Sequence, residues 1–139
     1  MPPESILQPL FVVALLNVVM CIWMYATRIP AMSKAGISPD DATKESMQSL
    51  PPAVVQIADN YNHLFEQPTL FYAVALSIAL LGHVDAVAVG CAWAYAGLRI
   101  AHSLVQATVN RIPLRFSLFC LSWIALSIMI VRESLRIFP

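Results

Sequence analysis

The chain has 139 residues, of which 59% are hydrophobic and 12% charged, and its mean hydropathy is +0.72. A soluble domain has about 25% charged residues with which to cover its surface, so this composition indicates an integral membrane protein of one domain, 1–139. Eight basic and eight acidic residues cancel, which excludes the basic surface of a nucleic-acid-binding protein. The three cysteines lie in apolar stretches without the spacing of a metal or redox motif, so no metal site is predicted.

Four apolar stretches are long enough to cross a hydrocarbon layer of ~30 Å as helices. They cover about residues 6–27, 53–82, 85–109 and 113–135, and a polar loop occupies about 28–50. The second and third connections are short, so consecutive helices are expected to run antiparallel. The predicted fold is an all-α integral membrane domain, an antiparallel four-transmembrane-helix bundle.

The sequence also makes a local structural prediction at two residues in this pattern. Pro68 lies inside the second apolar stretch, where the missing N–H of a proline is expected to kink the helix. His83 follows Gly82 in the short second connection, and its side chain is expected to be solvated.

The distribution of basic residues predicts the orientation in the membrane. The first loop and the third connection hold five of them: Arg28, Lys34, Lys44, Arg111 and Arg115. The opposite side holds Arg132 and Arg136. The first and third loops are therefore predicted to be cytoplasmic.

Charged side chains at membrane depth cost several kcal/mol unless they are paired or hydrated, so they require a reason. On the second helix, Asp59, His63 and Glu66 share one face at i, i+4 and i+7, and Asn62 lies beside that face. The third helix carries a second polar face, again at helical spacing: Arg99, His102 and Gln106. These two faces are the candidate functional site.

The residues allow two interpretations. In the first, they form an interhelical network in which Glu66 neutralises Arg99, while Arg111 and Arg115 reach lipid headgroups. In the second, the excess of arginines near one membrane face binds a small anion through bidentate contacts. A thiol among guanidinium groups would also be shifted toward the reactive thiolate. Glutathione carries two carboxylates, an amine and a thiol, and fits this set of side chains.

The same residues resemble a family signature. Arg99 and His102, followed after ten residues by Pro113 and Arg115, resemble the R-x-x-H and P-x-R motifs of the MAPEG family, the membrane-associated proteins of eicosanoid and glutathione metabolism. The block 63–68 is similar to the family's second-helix N-x-x-E block, particularly in its bacterial members. The resemblance extends over essentially the whole chain.

The resemblance implies a homotrimer of four-helix subunits, with glutathione bound between neighbours near the cytoplasmic face. The residues implied to bind it are Arg28, Asn62, His63, Glu66, Arg99, His102 and Arg111. Arg115 is the implied catalytic residue, because it matches the arginine that faces the thiol and stabilises its thiolate. The thiolate would attack a lipophilic electrophile entering from membrane lipid, or reduce a lipid hydroperoxide. The bacterial-type block and the lack of a targeting signal indicate a multi-pass protein of a bacterial inner membrane.

Some positions depart from the family pattern. In its R-x-x-x-N-x-x-E motif, Asp59 stands in place of the arginine and His63 in place of the asparagine. Gln106 replaces a common tyrosine, and Phe119 replaces an aromatic alcohol. Asp59, Gln106 and Phe119 favour an alternative, a non-catalytic lipid- or partner-binding membrane protein of the same fold, or else a thiol ligand other than glutathione. A small multidrug transporter is disfavoured because the first span contains no acidic residue.

Overall fold

The computed structural model describes residues 1–138. Six α-helices follow one another along this range: α1 Glu4–Ala35, α2 Lys44–Gln48, α3 Pro52–His63, α4 Gln67–Leu80, α5 Ala86–Ala107 and α6 Ile112–Ile137. A 3-10 turn at Pro39–Asp41 lies in the loop between α1 and α2. The described range contains no β-strand, so the predicted all-α class is confirmed.

The helix α1 is apolar on all sides but buries only one of them. Its buried residues recur every three or four positions, as one face of a helix must: Ile6, Leu10, Val13, Leu16, Met20 and Met24. Phe11, Leu15 and Ile22 on the other sides are exposed. The helix ends at Gly36, whose φ of 70° suits a residue without a Cβ atom.

Within residues 1–138, α1 and α6 are long and apolar enough to cross a membrane. Only 28% and 22% of their most apolar windows are buried, so most of their apolar side chains face outward. A helix in the core of a soluble protein would bury most of that surface. Together with the composition, this supports a helical membrane protein.

The second apolar stretch forms two helices, whereas the sequence predicted one helix with a kink at Pro68. The helix α3 ends at His63, and α4 begins at Gln67 after a turn over 64–66. Pro68 lies in the first turn of α4, where its missing N–H would have no partner in any case. The proline therefore begins a new helix, and Glu66 and Gln67 lie at its N-terminal end.

Two apolar clusters form the core, and α1 contributes to both. The first joins α1 to α4, α5 and α6 through residues that include Val13, Phe71 and Leu126. The second joins the C-terminal half of α1 to α3 and the end of α5, and it includes Met20 and Leu64. Buried polar residues of α3, α4, α5 and α6 also lie inside the fold: Asn60, Gln67, Arg99, His102, Ser103, Gln106 and Ser122.

An ion-pair network joins the start of α5 to the end of α6. Asp85 caps α5 by accepting the N–H of Ala88 at 2.9 Å, and its carboxylate also accepts from Arg132 at 2.8 Å and from Arg136. The Arg132 hydrogen bond is the main reason why the pKa of Asp85 lies well below its usual range. The contacts place the N-terminus of α5 beside the C-terminus of α6, so these two helices are antiparallel.

His83 takes part in the same network, which the sequence did not predict, while its side chain stays 34% exposed. Its ring nitrogen Nδ1 contacts the carboxylate of Glu133, a residue of α6 that is buried. The backbone carbonyl of His83 also accepts a hydrogen bond from Arg136 at 2.9 Å. The connection between α4 and α5 is thereby tied to the end of α6.

We expect Asp85→Ala to lower the free energy of unfolding in detergent by about 1 kcal/mol, because α5 loses its N-cap acceptor. Asp85→Asn should cost less, since its amide oxygen can still cap the helix while the ion pairs are lost. Thermal unfolding midpoints of the two variants and the wild type test this.

The pH dependence of Asp85 has a defined sign. Its folded-state pKa is lowered, so its stabilising effect is present above the ordinary aspartate pKa of about 3.9 and is lost as the pH falls below it. The difference between wild type and Asp85→Asn should therefore be constant from neutral pH to about pH 4 and shrink at lower pH. A difference that grows on acidification would contradict the assignment.

Candidate functional site

A cavity of about 280 Å³ opens where the break between α3 and α4 faces α5 and the first turns of α6. Its lining residues are His63, Glu66, Gln67, Arg99, His102, Ile112, Arg115, Phe116 and Phe119. One wall is charged and polar, and the other, formed by α6, is largely apolar. The cavity thus combines cationic groups with an apolar surface.

Three polar side chains of α5 are buried on one side of the helix. Arg99, His102 and Gln106 follow the i, i+3, i+7 spacing and are almost fully covered by the neighbouring helices. Arg99 and His102 line the cavity, whereas Gln106 faces His63 beside it. The polar face expected from the sequence therefore exists, and it is buried inside the fold.

Gln67 connects this face to two other helices. Its side-chain oxygen Oε1 accepts hydrogen bonds from the Tyr95 hydroxyl at 3.3 Å, from Arg99 Nη1 at 3.3 Å and from the Ser122 hydroxyl at 3.2 Å. The donors belong to α5 and α6, and Gln67 is the first residue of α4. One carbonyl oxygen therefore joins three helices.

The guanidinium group of Arg99 is buried and has no carboxylate partner in the described part of the chain. The side chain is 1% exposed, and its nitrogens Nε and Nη2 have no hydrogen-bond partner there. Glu66 lines the same cavity, but all ion pairs found in residues 1–138 lie at the other end of α5 and α6. Glu66 therefore shares the cavity with Arg99 but forms no direct ion pair with it in the described residues.

His63 and Gln106 form a second link between helices. The ring nitrogen Nδ1 of His63 lies 3.2 Å from the side-chain nitrogen of Gln106 and 3.3 Å from its oxygen, so the amide can bond either tautomer. This contact fixes the end of α3 against α5. Both residues depart from the family pattern, and here they are partners.

Arg115 lies at the mouth of the cavity, one turn into α6. Its Nη1 donates to Asn110 Oδ1 at 2.6 Å, and the side chain is half-buried. Asn110 has a φ of 49°, a left-handed conformation that asparagine tolerates better than most residues. The turn between α5 and α6 thus supplies the acceptor that orients this arginine, and its other nitrogens remain available to a ligand.

Four other residues singled out from the sequence do not line the cavity of a single chain. Asn62 and Arg111 are exposed, while Arg28 and Asp59 are half-buried. The structure brings together His63, Glu66, Arg99, His102 and Arg115. The remaining three predicted binding residues lie outside this group.

The sequence reasoning missed two polar residues of the site. Gln67 and Ser122 hold the network together. In the sequence, Gln67 stands out only as part of the block 63–68, and Ser122 lies in an apolar span outside any motif. Pro68 was only a partial signal, because a proline either kinks a helix or starts one, and only a start places residue 67 in a first turn. No comparable signal in the sequence marks Ser122.

The outward-facing apolar helices and the buried cationic cavity define a helical membrane protein with a polar internal site. The chain belongs to the MAPEG family, whose model matches residues 6–133, nearly the whole chain. Members of this family are glutathione-related transferases or peroxidases, or are non-catalytic. The recognition made from the sequence motifs is confirmed. No curated protein and no solved structure gives a significant match to the chain.

We expect Gln67→Met to lower the free energy of unfolding by about 1–3 kcal/mol, because buried donors on Tyr95 and Arg99 lose their acceptor. Gln48→Met, at an exposed position in α2, is the matched control and should change it little. Thermal or denaturant unfolding in detergent measures both. Equal stability of the two variants would contradict the role of Gln67 in joining the helices.

Proposed function

We propose that this protein is a glutathione-dependent transferase or peroxidase that acts on lipophilic electrophiles at the membrane. The observation that carries the proposal is the buried guanidinium group of Arg99, which has two nitrogens without a hydrogen-bond partner and no ion pair in the described residues, in a cavity that also contains Arg115. A buried charge without a partner is costly, so a cavity that retains one is suited to an anionic ligand. Family membership supports glutathione as that ligand.

The lining residues fit the groups of glutathione. Arg99 has two free nitrogens for a carboxylate, and Glu66 offers a carboxylate to an ammonium group. Arg115 at the cavity mouth would face the thiol and favour its thiolate through the positive charge. Glutathione supplies the nucleophilic or reducing sulfur in this chemistry. The role of the protein is to hold the carboxylates, stabilise the thiolate and exclude water.

The apolar wall supports a lipophilic second substrate. Ile112, Phe116 and Phe119 line the cavity on the side of α6, and all three are exposed on a single chain. A hydrophobic compound dissolved in lipid could reach this wall between helices without crossing water. The wall lies beside Arg115, where the sulfur would be activated.

We further propose that the chain crosses the membrane four times and assembles as a homotrimer. The spans would be α1, α3 with α4, α5 and α6, within a bacterial inner membrane. The cavity of about 280 Å³ is small beside the roughly 300–1,000 Å³ of typical ligand sites. A neighbouring subunit would enlarge it and could contribute Arg28, Asn62 and Arg111, which lie outside the cavity of one chain.

A non-catalytic lipid- or partner-binding role is the second candidate. Phe119 supports it, because this residue places a ring 6.5 Å from the His102 ring where the family pattern has an alcohol. The loss of that hydroxyl makes the site less polar and better suited to a lipid chain. Under this alternative, the arginines would bind an acidic headgroup and no thiolate would form.

We expect Arg115→Ala to abolish the ultraviolet absorption band of the glutathione thiolate in a difference titration of detergent-purified protein. Turnover of a lipophilic aryl halide should fall about 10²- to 10³-fold, the usual effect of removing one charge-stabilising donor. Arg115→Lys, which keeps a cation, should retain part of the band. Lys34→Ala removes an exposed cation from the last turn of α1 and is the matched control.

The titration also separates the two candidate functions. A saturable band in the wild type and Lys34→Ala that is absent from Arg115→Ala supports the enzyme. Undiminished turnover in Arg115→Ala would refute the assigned role. A wild type that binds lipid but gives neither a band nor direct glutathione binding would favour the non-catalytic protein.

The orientation makes a separate prediction. With the three native cysteines replaced by alanine, Lys44→Cys in α2 should react with a membrane-impermeant maleimide in inside-out vesicles, because the first loop is cytoplasmic. Leu81→Cys, between α4 and α5, should react in intact spheroplasts instead. The reverse pattern would overturn the proposed orientation.

A further inference from the structure

The side chain that holds Arg99 in place is an amide, although a carboxylate of the same size would fit there. Gln67 is 7% exposed, and its Oε1 accepts from Arg99 Nη1 at 3.3 Å. Glutamate at this position would form a buried ion pair with Arg99 and cancel its charge. Glutamine provides the hydrogen bond and leaves the guanidinium group without a direct ion pair in the described residues.

The free atoms of Arg99 form a single recognition edge. Nε and Nη2 lie on the same side of the planar guanidinium group, away from the Nη1 atom that Gln67 occupies. This edge is one of those with which arginine binds a carboxylate through two parallel hydrogen bonds. The side-chain nitrogen of Gln67 is also buried without a partner and belongs to a residue that lines the cavity.

The chain itself does not fill this edge. Glu66 is the nearest neighbour of Gln67 in the sequence and lines the same cavity, but it is exposed and forms no ion pair with Arg99 in the described structure. The neighbouring His102 has a buried Nδ1 atom without a partner. Arg99, Gln67 and His102 therefore keep unpaired hydrogen-bonding atoms, although the carboxylate of Glu66 lines the same cavity.

We propose that Gln67 is a positioning residue that keeps the Arg99 edge charged and free of an internal carboxylate, so that this edge and the Gln67 amide receive a carboxylate of the ligand. One side chain thereby determines that the cavity selects anionic ligands. The inference rests on the proposed function in naming glutathione as the carrier of the carboxylate. It goes beyond that function by assigning the selectivity to residue 67.

The test is Gln67→Glu, which changes the charge and preserves the size. The free variant should unfold at the same or a higher temperature, because the introduced carboxylate pairs with Arg99. The dissociation constant for glutathione, measured by calorimetry, should rise about 10- to 100-fold, the equivalent of a charge-assisted hydrogen bond or two. If the role of Gln67 were only structural, stability and affinity would change in the same direction. The proposal instead predicts that affinity falls while stability is kept or increased.

A ligand series locates the effect on the carboxylate. The wild type should bind glutathione more tightly than its diethyl ester, in which both carboxylates are blocked. In Gln67→Glu this preference should shrink, because the edge that binds one of the two carboxylates is already occupied. Gln48→Glu introduces the same charge at an exposed site in α2 and should preserve the wild-type preference.

The other outcomes also decide between the positioning role of Gln67 and its alternatives. Equal weakening of acid and ester binding, or a Gln67→Glu protein that does not fold, would overturn the positioning role while leaving the proposed function intact. If the wild type does not bind glutathione, glutarate serves as a simple dicarboxylate probe in thermal unfolding. Stabilisation of the wild type but not of Gln67→Glu by glutarate would sustain the inference and refute glutathione as the ligand. No response of the wild type to either compound would overturn both.

Discussion

The hydrogen bonds to the side-chain oxygen of Gln67 are the contacts on which the site depends. A carbonyl oxygen has two lone pairs, and here donors from Tyr95, Arg99 and Ser122 share them. The helices α4, α5 and α6 must therefore hold fixed positions around one atom. Gln67 reaches that point only because the chain breaks at 64–66 and restarts as α4. In a helix that continued without a break, the fixed turn of about 100° per residue would decide which way residue 67 faces.

Charged side chains form ion pairs at one end of the fold, whereas Arg99 at the other end has none in the described residues. At one end, the ion pairs of the described residues form a connected network: His83, Asp85, Arg132, Glu133 and Arg136. At the other end, Arg99 is more deeply buried and meets only an amide. Paired charges stabilise the arrangement of α5 and α6, and the unpaired charge lowers stability unless a ligand compensates it. The contrast is consistent with a structural role for the first group and with the binding role proposed for the second.

Much of this could be predicted from periodicity and motif spacing, because both are local properties of the sequence. The all-α class and the shared face of Arg99, His102 and Gln106 follow from apolar stretches and helical spacing, and the R-x-x-H and P-x-R motifs identified the family. The effect of Pro68 could not be predicted, since a proline kinks or starts a helix according to the packing around it. The pairing of His83 with Glu133 and the Gln67 network join residues far apart in the sequence, and spacing carries no information about them.

The departures from the family pattern acquire a different meaning once the contacts are known. His63 and Gln106 each replace a common family residue, and taken singly both suggest a degraded site. In the fold, their side chains lie 3.2 Å apart and bond to each other, and this contact joins α3 to α5. Asp59 lies outside the cavity of the single chain and leaves its charge balance unaltered. His63 and Phe119 both line the cavity, and Phe119 extends the apolar wall beside Arg115. The cationic groups that an anionic ligand requires are therefore retained, and the altered positions affect how the helices are joined and how apolar the entrance is.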